Sequence, residues 1–201
     1  MGDPEGARRG GMTRPEIRRR RDTDRAGCVA LADQVQRADG YPVHRPEDLA
    51  AFVFVPDALA AWCAIEDDAI VGHVALHVRS SPEVVELASR TLGVAPARLG
   101  IVARLFVAPS HRRRGIGRRL LDTAAAEARA RDLHPVLDVV TAHAEAIALY
   151  STRGWRYAGA VHSHFSPDVE LDELVFLGPL EPDDEELPPF LPPEGEESID
   201  P

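Results

Sequence analysis

Four arginines and two glycines fall within seven residues, Arg112-Arg113-Arg114-Gly115-Ile116-Gly117-Arg118. The chemistry such a run can do is to hold a multiply charged anion. An apolar, β-prone run, Ile101 to Val107, leads into it and breaks at Ala108-Pro109-Ser110. Ile116, Leu120, Ala124 and Ala128 follow at four-residue spacing, so the order is strand, loop, helix. Backbone N–H groups at a helix start lack internal partners and carry the positive end of the helix dipole, which favours phosphate oxygens. Glycine at 115 and 117 lets that backbone approach a bulky diphosphate with no Cβ in the way. Arginine adds fixed positive charge and planar donors. Two other phosphate loops are excluded. A P-loop needs Gly-Lys-Ser/Thr, and the chain contains no lysine. A dinucleotide-binding turn needs a third glycine where Leu120 stands. The plain alternative is an exposed arginine cluster on an ordinary helix start.

The elements that must position this loop can be read along the chain. Pro15–Arg21 reads as a first strand whose arginine run is expected to be a solvated edge; an RNA-binding arm is the rival reading, and no aromatic platform accompanies it. Asp22 or Thr23 is expected to cap a helix with Cys28, Leu31, Ala32 and Val35 inward, ended near Gly40. Pro46 suits the first turn of a short second helix through Phe52. Leu59–Ile65 and Ile70–Val78 flank Glu66-Asp67-Asp68-Ala69 as a hairpin. Ser80–Gly93 is a helical insertion, and the helix after the arginine loop runs to about Asp132. His134-Pro135 turns the chain into a strand, Val136–Val140. A helix over Ala144–Arg153 closes at Gly154, and Trp155–Val161 with Leu171–Leu177 completes a final strand pair.

The central stretch resembles the acyl-CoA loop of the GNAT superfamily of N-acetyltransferases. The superfamily pattern, Arg/Gln-x-x-Gly-x-Gly/Ala after a strand ending in Val-x-Pro, stands here as Arg112-x-x-Gly115-x-Gly117 after Val107-Ala108-Pro109. The likeness covers about Pro15 to Pro179 and is densest from Leu99 to Tyr157. It implies an α/β (α+β) fold with helices flanking a mixed, mostly antiparallel sheet. Two parallel central strands, here Ile101–Val107 and Val136–Val140, would splay apart. It implies acetyl-CoA as co-substrate, its diphosphate held by Arg112, Arg113, Arg114, Gly115, Ile116, Gly117 and Arg118. Its pantetheine arm would bond backbone groups of Leu105, Phe106 and Val107. Ala146-Ile147-Ala148-Leu149-Tyr150 is similar to the superfamily's A-x-x-L-Y segment, whose tyrosine points at the thioester sulfur. Tyr150 is therefore the candidate proton donor to the leaving thiolate, against a packing aromatic. Leu137-Asp138-Val139 is similar to a Leu-Glu-Val strand, making Asp138 the candidate base. A charged residue in an apolar strand also needs a physical reason, and anchoring a loop is the other one. Relatives also place a glutamate on the preceding strand, where Ile101 and Arg104 stand here. His143 replaces the usual asparagine; it can contact the pantetheine, bond the helix start, or act as base. Tyr41, Trp62, His162 and His164 are candidates to line the acceptor pocket.

Composition bounds these readings. With 201 residues, 44% hydrophobic, the chain can bury one substantial core. No apolar run reaches membrane length, the N-terminus carries no apolar signal segment, and Cys28 and Cys63 show no metal or disulfide spacing, so a reducing cytoplasm is expected. Lysine and asparagine are both absent, a bias that suits a GC-rich, bacterial genome. Nine acids in 181–201, against a net charge of −10, leave the rest of the chain nearly neutral. The expected organisation is a disordered arm (1–14), one domain (15–180) and an acidic, proline-rich disordered tail (181–201). The expected partners are acetyl-CoA and an amine acceptor, with no membrane and no nucleic acid; a homodimer stays open. The rival reading is a non-catalytic acyl-CoA-binding module of the same fold.

Overall fold

The computed structural model describes residues 14–43, 45–166 and 169–179, without the side chains of 165–169. The expected tail lies outside the described residues, as does the expected arm except Arg14. β1 (Glu16–Arg19) is followed by α1 (Arg25–Asp39), α2 (Leu49–Val53), β2 (Ala60–Glu66) and β3 (Ala69–His77). Next come α3 (Pro82–Leu92), β4 (Leu99–Val107), α4 (Ile116–Ala130), β5 (His134–Val140), α5 (Ala144–Ser151), β6 (Arg156–Ser166) and β7 (Val169–Leu177). The seven strands form one sheet in the order β1-β2-β3-β4-β5-β7-β6. Every neighbouring pair is antiparallel except β4–β5, which is parallel.

Strand alternation sorts the helices onto two faces. Cys63, His73, Ala75, Ile101, Asp138 and Val175 share one face through their cross-strand pairings. Cys28 of α1 meets Cys63 there, Sγ to Sγ 3.5 Å as free thiols, and Val84 and Ala88 of α3 pack on Ile101, Val136 and Val175. The other face holds Ala64, Gly72, Leu76, Leu137 and Phe176. A Cβ on Gly72 would lie 2.9 Å from Leu120 and 3.2 Å from Ile116, so glycine here lets α4 sit close on β3. Tyr150 of α5 packs on Phe176 on the same side. No helix among the described residues is long and apolar enough to cross a membrane.

Several local expectations are corrected. The arginine run at β1 sits on an edge strand, with Arg19 and Arg21 exposed as expected, but Arg18 and Arg20 are drawn inward. Arg18 forms a two-bond pair with Asp24, Arg20 donates to the Val53 carbonyl and to His73, and Arg19 lies over Trp62. Neither Asp22 nor Thr23 caps α1: both belong to a 3-10 turn, and α1 starts after Asp24. The short helix begins three residues after Pro46, with Asp48 as its cap, accepting from the N–H groups of Ala50 and Ala51. His134-Pro135 is already strand, with Pro135 opposite Gly100 of β4. The final strand pair is longer than expected, and β7 inserts between β5 and β6.

Candidate active site

The two parallel strands pair at only three positions, Leu99 with His134, Gly100 with Pro135 and Ile101 with Val136. Beyond Ile101 the edge of β4 that faces β5 has no strand partner among the described residues, so its amide and carbonyl groups line an open wedge. The cause is local. Opposite Val74 of β3, β4 carries two residues, Arg104 and Leu105, and Arg104 adopts φ 55°. Such a bulge increases twist and turns the strand away from its neighbour. An arginine in a left-handed conformation is strained and needs holding. Its Nε donates to the Phe52 carbonyl at 2.8 Å, and its own carbonyl lies 3.0 Å from Nδ1 of His73. Arg20 reaches Nε2 of that ring at 3.0 Å. A guanidinium can only donate, so Nε2 accepts and Nδ1–H donates to Arg104, which defines a neutral tautomer. Burial pushes the His73 pKa down to about 3.

On the α1/α3 face the wedge opens into a cavity of about 290 Å³, lined among others by Ser80, Ile101, Ala103, Arg104, Asp138 and His164. Ser80 Oγ donates to Asp138 at 2.8 Å. Behind Asp138, Glu173 of β7 is 2% exposed, and its Oε2 has no hydrogen-bond partner among the described residues. Burial, then the neighbouring Asp138 charge, pushes the Glu173 pKa up to about 7. Two carboxyl groups this close do not both ionise easily. Glu173, beside Asp138, is the carboxyl whose protonated form is favoured where the strands part.

On the opposite side, Tyr150 is buried with its ring against Trp155 and Phe176, at centroid distances of 6.2 and 5.8 Å. Burial raises its pKa, and the charge of Asp138 adds to the rise, so the phenol stays protonated as a donor must. Tyr41 arrives from the segment after α1 and packs on Phe52, Phe106 and His143. Its pKa is pushed up to about 12, first by burial. His143 precedes α5, but its side chain makes no cap bond; the helix-start hydrogen bond expected of it is absent, and its buried Nε2 is unpartnered among the described residues.

The arginine loop closes the other end of the wedge. Arg113 and Gly115 have φ 57° and 74°, which tightens the turn into α4. A Cβ on Gly117 would meet Val107 and Leu149 at 3.6 and 3.7 Å, ordinary contact, so the protein's own packing does not require glycine there. Arg112 is ion-paired with Asp39, and Arg114 with Glu66, which His111 also approaches at 3.0 Å. Arg113 and Arg118 remain exposed, the latter 3.7 Å from Asp122. Of the residues expected at the site, Tyr150 packs on the other face of the sheet, whereas Asp138 lines the cavity. Trp62 does not line it: it is 5% exposed, in the core, beneath Arg19. His164 lines the cavity, and Tyr41 stands at the wedge. Sequence reading missed Glu173, although a charge inside Leu171–Leu177 carries the same signal that marked Asp138.

The site thus sits where a seven-stranded mixed sheet parts at its parallel pair, with a glycine-arginine loop at the parting. The sequence matches the acetyltransferase (GNAT) family over residues 28–155, and the chain belongs to that family. No curated protein sequence matches it significantly. Similar solved structures include an N-acetyltransferase from Staphylococcus aureus Mu50, with TM-score 0.64, 17% identity and coverage of 84% of this chain and 100% of that one. Another is NAA60 of Arabidopsis thaliana in complex with acetyl-CoA, with TM-score 0.61, 18% identity and coverage of 81% and 97%. The ribosomal-protein-S18-alanine N-acetyltransferase of Escherichia coli gives TM-score 0.59, 18% identity and coverage of 83% and 94%. At these identities the likeness is one of fold.

Proposed function

We propose that the protein transfers the acetyl group of acetyl-CoA to a primary amine, by direct attack of the amine within a ternary complex in the cytoplasm. The observation that carries this reading is the wedge itself. It offers open β4 backbone to one ligand and, through the cavity at Asp138, access for a second from the opposite face. The diphosphate sits at the start of α4, on the N–H groups of residues 115–118 with Arg113 and Arg118 beside it. Arg112 and Arg114, held by Asp39 and Glu66, shape the loop. The pantetheine arm follows Leu105, Phe106 and Val107, with His143 and Tyr41 alongside.

The chemistry then divides between two carboxyls and a phenol. An amine attacks only as the free base, so its ammonium proton must leave first. Asp138 accepts it, directly or through a water, with Glu173 behind it. Tyr150 gives its proton to the departing thiolate sulfur. Cys28 and Cys63 are buried in the core between α1 and β2, which supports attack without a cysteinyl intermediate. The test is thiol release from acetyl-CoA against a panel of amines, peptides and aminoglycosides, with the product weighed by mass spectrometry. Acetylated amine formed in step with free CoA is expected. Tight CoA binding with no release above hydrolysis would favour the non-catalytic acyl-CoA-binding module.

A further inference from the structure

In the β6–β7 hairpin His162 stands opposite Asp172 and His164 opposite Glu170. The two-residue period of a strand puts these four side chains on one face, while Ser163 and Glu173 turn to the other. His162, His164 and Glu170 each present a donor atom, all within 4.8 Å of one another. Nε2 of His162 is 3.2 Å from one oxygen of Glu170, and Nε2 of His164 is 3.4 Å from the other. The remaining ring nitrogens are also accompanied. Nδ1 of His162 lies 2.8 Å from Asp172, and Nδ1 of His164 lies 3.9 Å from Glu83 at the start of α3.

We propose that His162, His164 and Glu170 bind a divalent transition-metal ion of the zinc type on the exposed face of this hairpin, with Asp172 and Glu83 orienting the imidazoles. Two imidazole nitrogens and one carboxylate suit zinc; magnesium and calcium take oxygen donors. Carboxylates behind the far ring nitrogens are the arrangement that fixes tautomer and ring direction in histidine ligands. Simple ion pairing accounts for less. One carboxylate needs one imidazolium, yet here two rings with centroids 5.1 Å apart turn toward Glu170, and two further carboxylates stand behind them. Three carboxylates, Glu170, Asp172 and Glu83, stand around the two rings, a concentration of acceptors that a dication offsets. Zinc–ligand arms of about 2.1 Å require donors roughly 3.4 Å apart. Two contacts already have that length, and rotation of the exposed side chains supplies the rest. His164 is also among the residues that line the cavity beside Asp138.

The test uses the full chain without an affinity tag, stripped with a chelator. Zn2+ is titrated calorimetrically, and Co2+ serves as a visible-absorption probe of coordination. One ion per chain is expected. His162→Ala and His164→Ala should each weaken Zn2+ binding by about 100-fold or more, and Asp172→Asn by roughly 10–100-fold. Melting temperatures in the absence of metal, and CoA affinity, should be unchanged, since all three side chains are exposed. Absence of saturable binding up to about 1 mM Zn2+, or an isotherm that survives both histidine substitutions, would overturn the proposal. Neither readout depends on turnover, so the metal site and the acetyl transfer can fail separately.

Discussion

Tyr150 does two jobs that a single substitution separates. Its ring packs on Trp155 and Phe176, and its hydroxyl is the proton donor proposed above. Tyr150→Phe keeps the ring and nearly all the volume, so the fold should survive. The turnover number at saturating acetyl-CoA should fall by ~10²-fold or more with acetyl-CoA binding little altered, because the lost interaction belongs to the transition state. Near-normal turnover with a modest stability loss would leave Tyr150 a packing residue. Asp138→Asn should cost ~10²-fold in kcat/KM near neutral pH, and the deficit should shrink at higher pH, where the amine deprotonates unaided. A deficit independent of pH would make Asp138 a loop anchor through Ser80. Glu173 has its own signature. With its pKa pushed from 4.5 up to about 7, the folded chain keeps a proton that the unfolded chain releases in that window. Its contribution to stability therefore falls as pH rises from 4.5 to 7. Glu173→Gln should melt higher than the parent at pH 8 and about equal to it at pH 4, by scanning calorimetry.

At the scale of elements, the wedge depends on the β4 bulge and on the start of α4. The bulge is braced by Arg20, His73 and the Arg104 carbonyl, and this brace is neutral at its centre. His73 and His77, with pKa values pushed down by burial to about 3 and about 4, gain protons more readily unfolded than folded. Their contribution is full above pH 6.5 and is lost as pH falls toward those values. His73→Gln should flatten the acid side of the stability profile while lowering stability at pH 7. An unchanged acid slope would place acid sensitivity elsewhere. At α4, the space beside Gly117 tolerates a Cβ, so Gly117→Val should fold normally. It should nonetheless lose about 100-fold or more in CoA affinity, read by calorimetric titration, because a β-branched side chain occupies the approach of the diphosphate. Unchanged affinity would mean the cofactor binds elsewhere.

Across the whole molecule, charge is divided unevenly. Nine acids lie in 181–201, while the loop before α4 is cationic and only partly neutralised by Asp39 and Glu66. A chain-borne polyanion competes with an anionic ligand by long-range attraction that salt screens. Removing 181–201 should tighten CoA binding at low ionic strength and leave it unchanged at high ionic strength. An effect of equal size at both would point to direct contact instead.

The family resemblance supplied the parallel pair; the sequence by itself determined the strand before the glycine-arginine loop, the loop and the helix after it. Each rests on local rules: apolar period, glycine where backbone must be approached, proline where a strand must end. Asp138 was legible for the same reason, as a charge in an apolar strand. Tertiary structure alone decided what each polar residue faces. The arginine run at β1 read as solvated because runs of charge usually are; only the fold brings Asp24 to Arg18, and Val53 and His73 to Arg20. Arg112 and Arg114 read as ligands of phosphate; only the fold shows that each also pairs with an acid, 73 and 48 residues away. Glu173 joins Asp138 because β7 inserts between β5 and β6, a strand order that no local pattern encodes. Spacing fixes which residues share an element, whereas partnership across the sheet follows from strand order and register, which are properties of the folded chain.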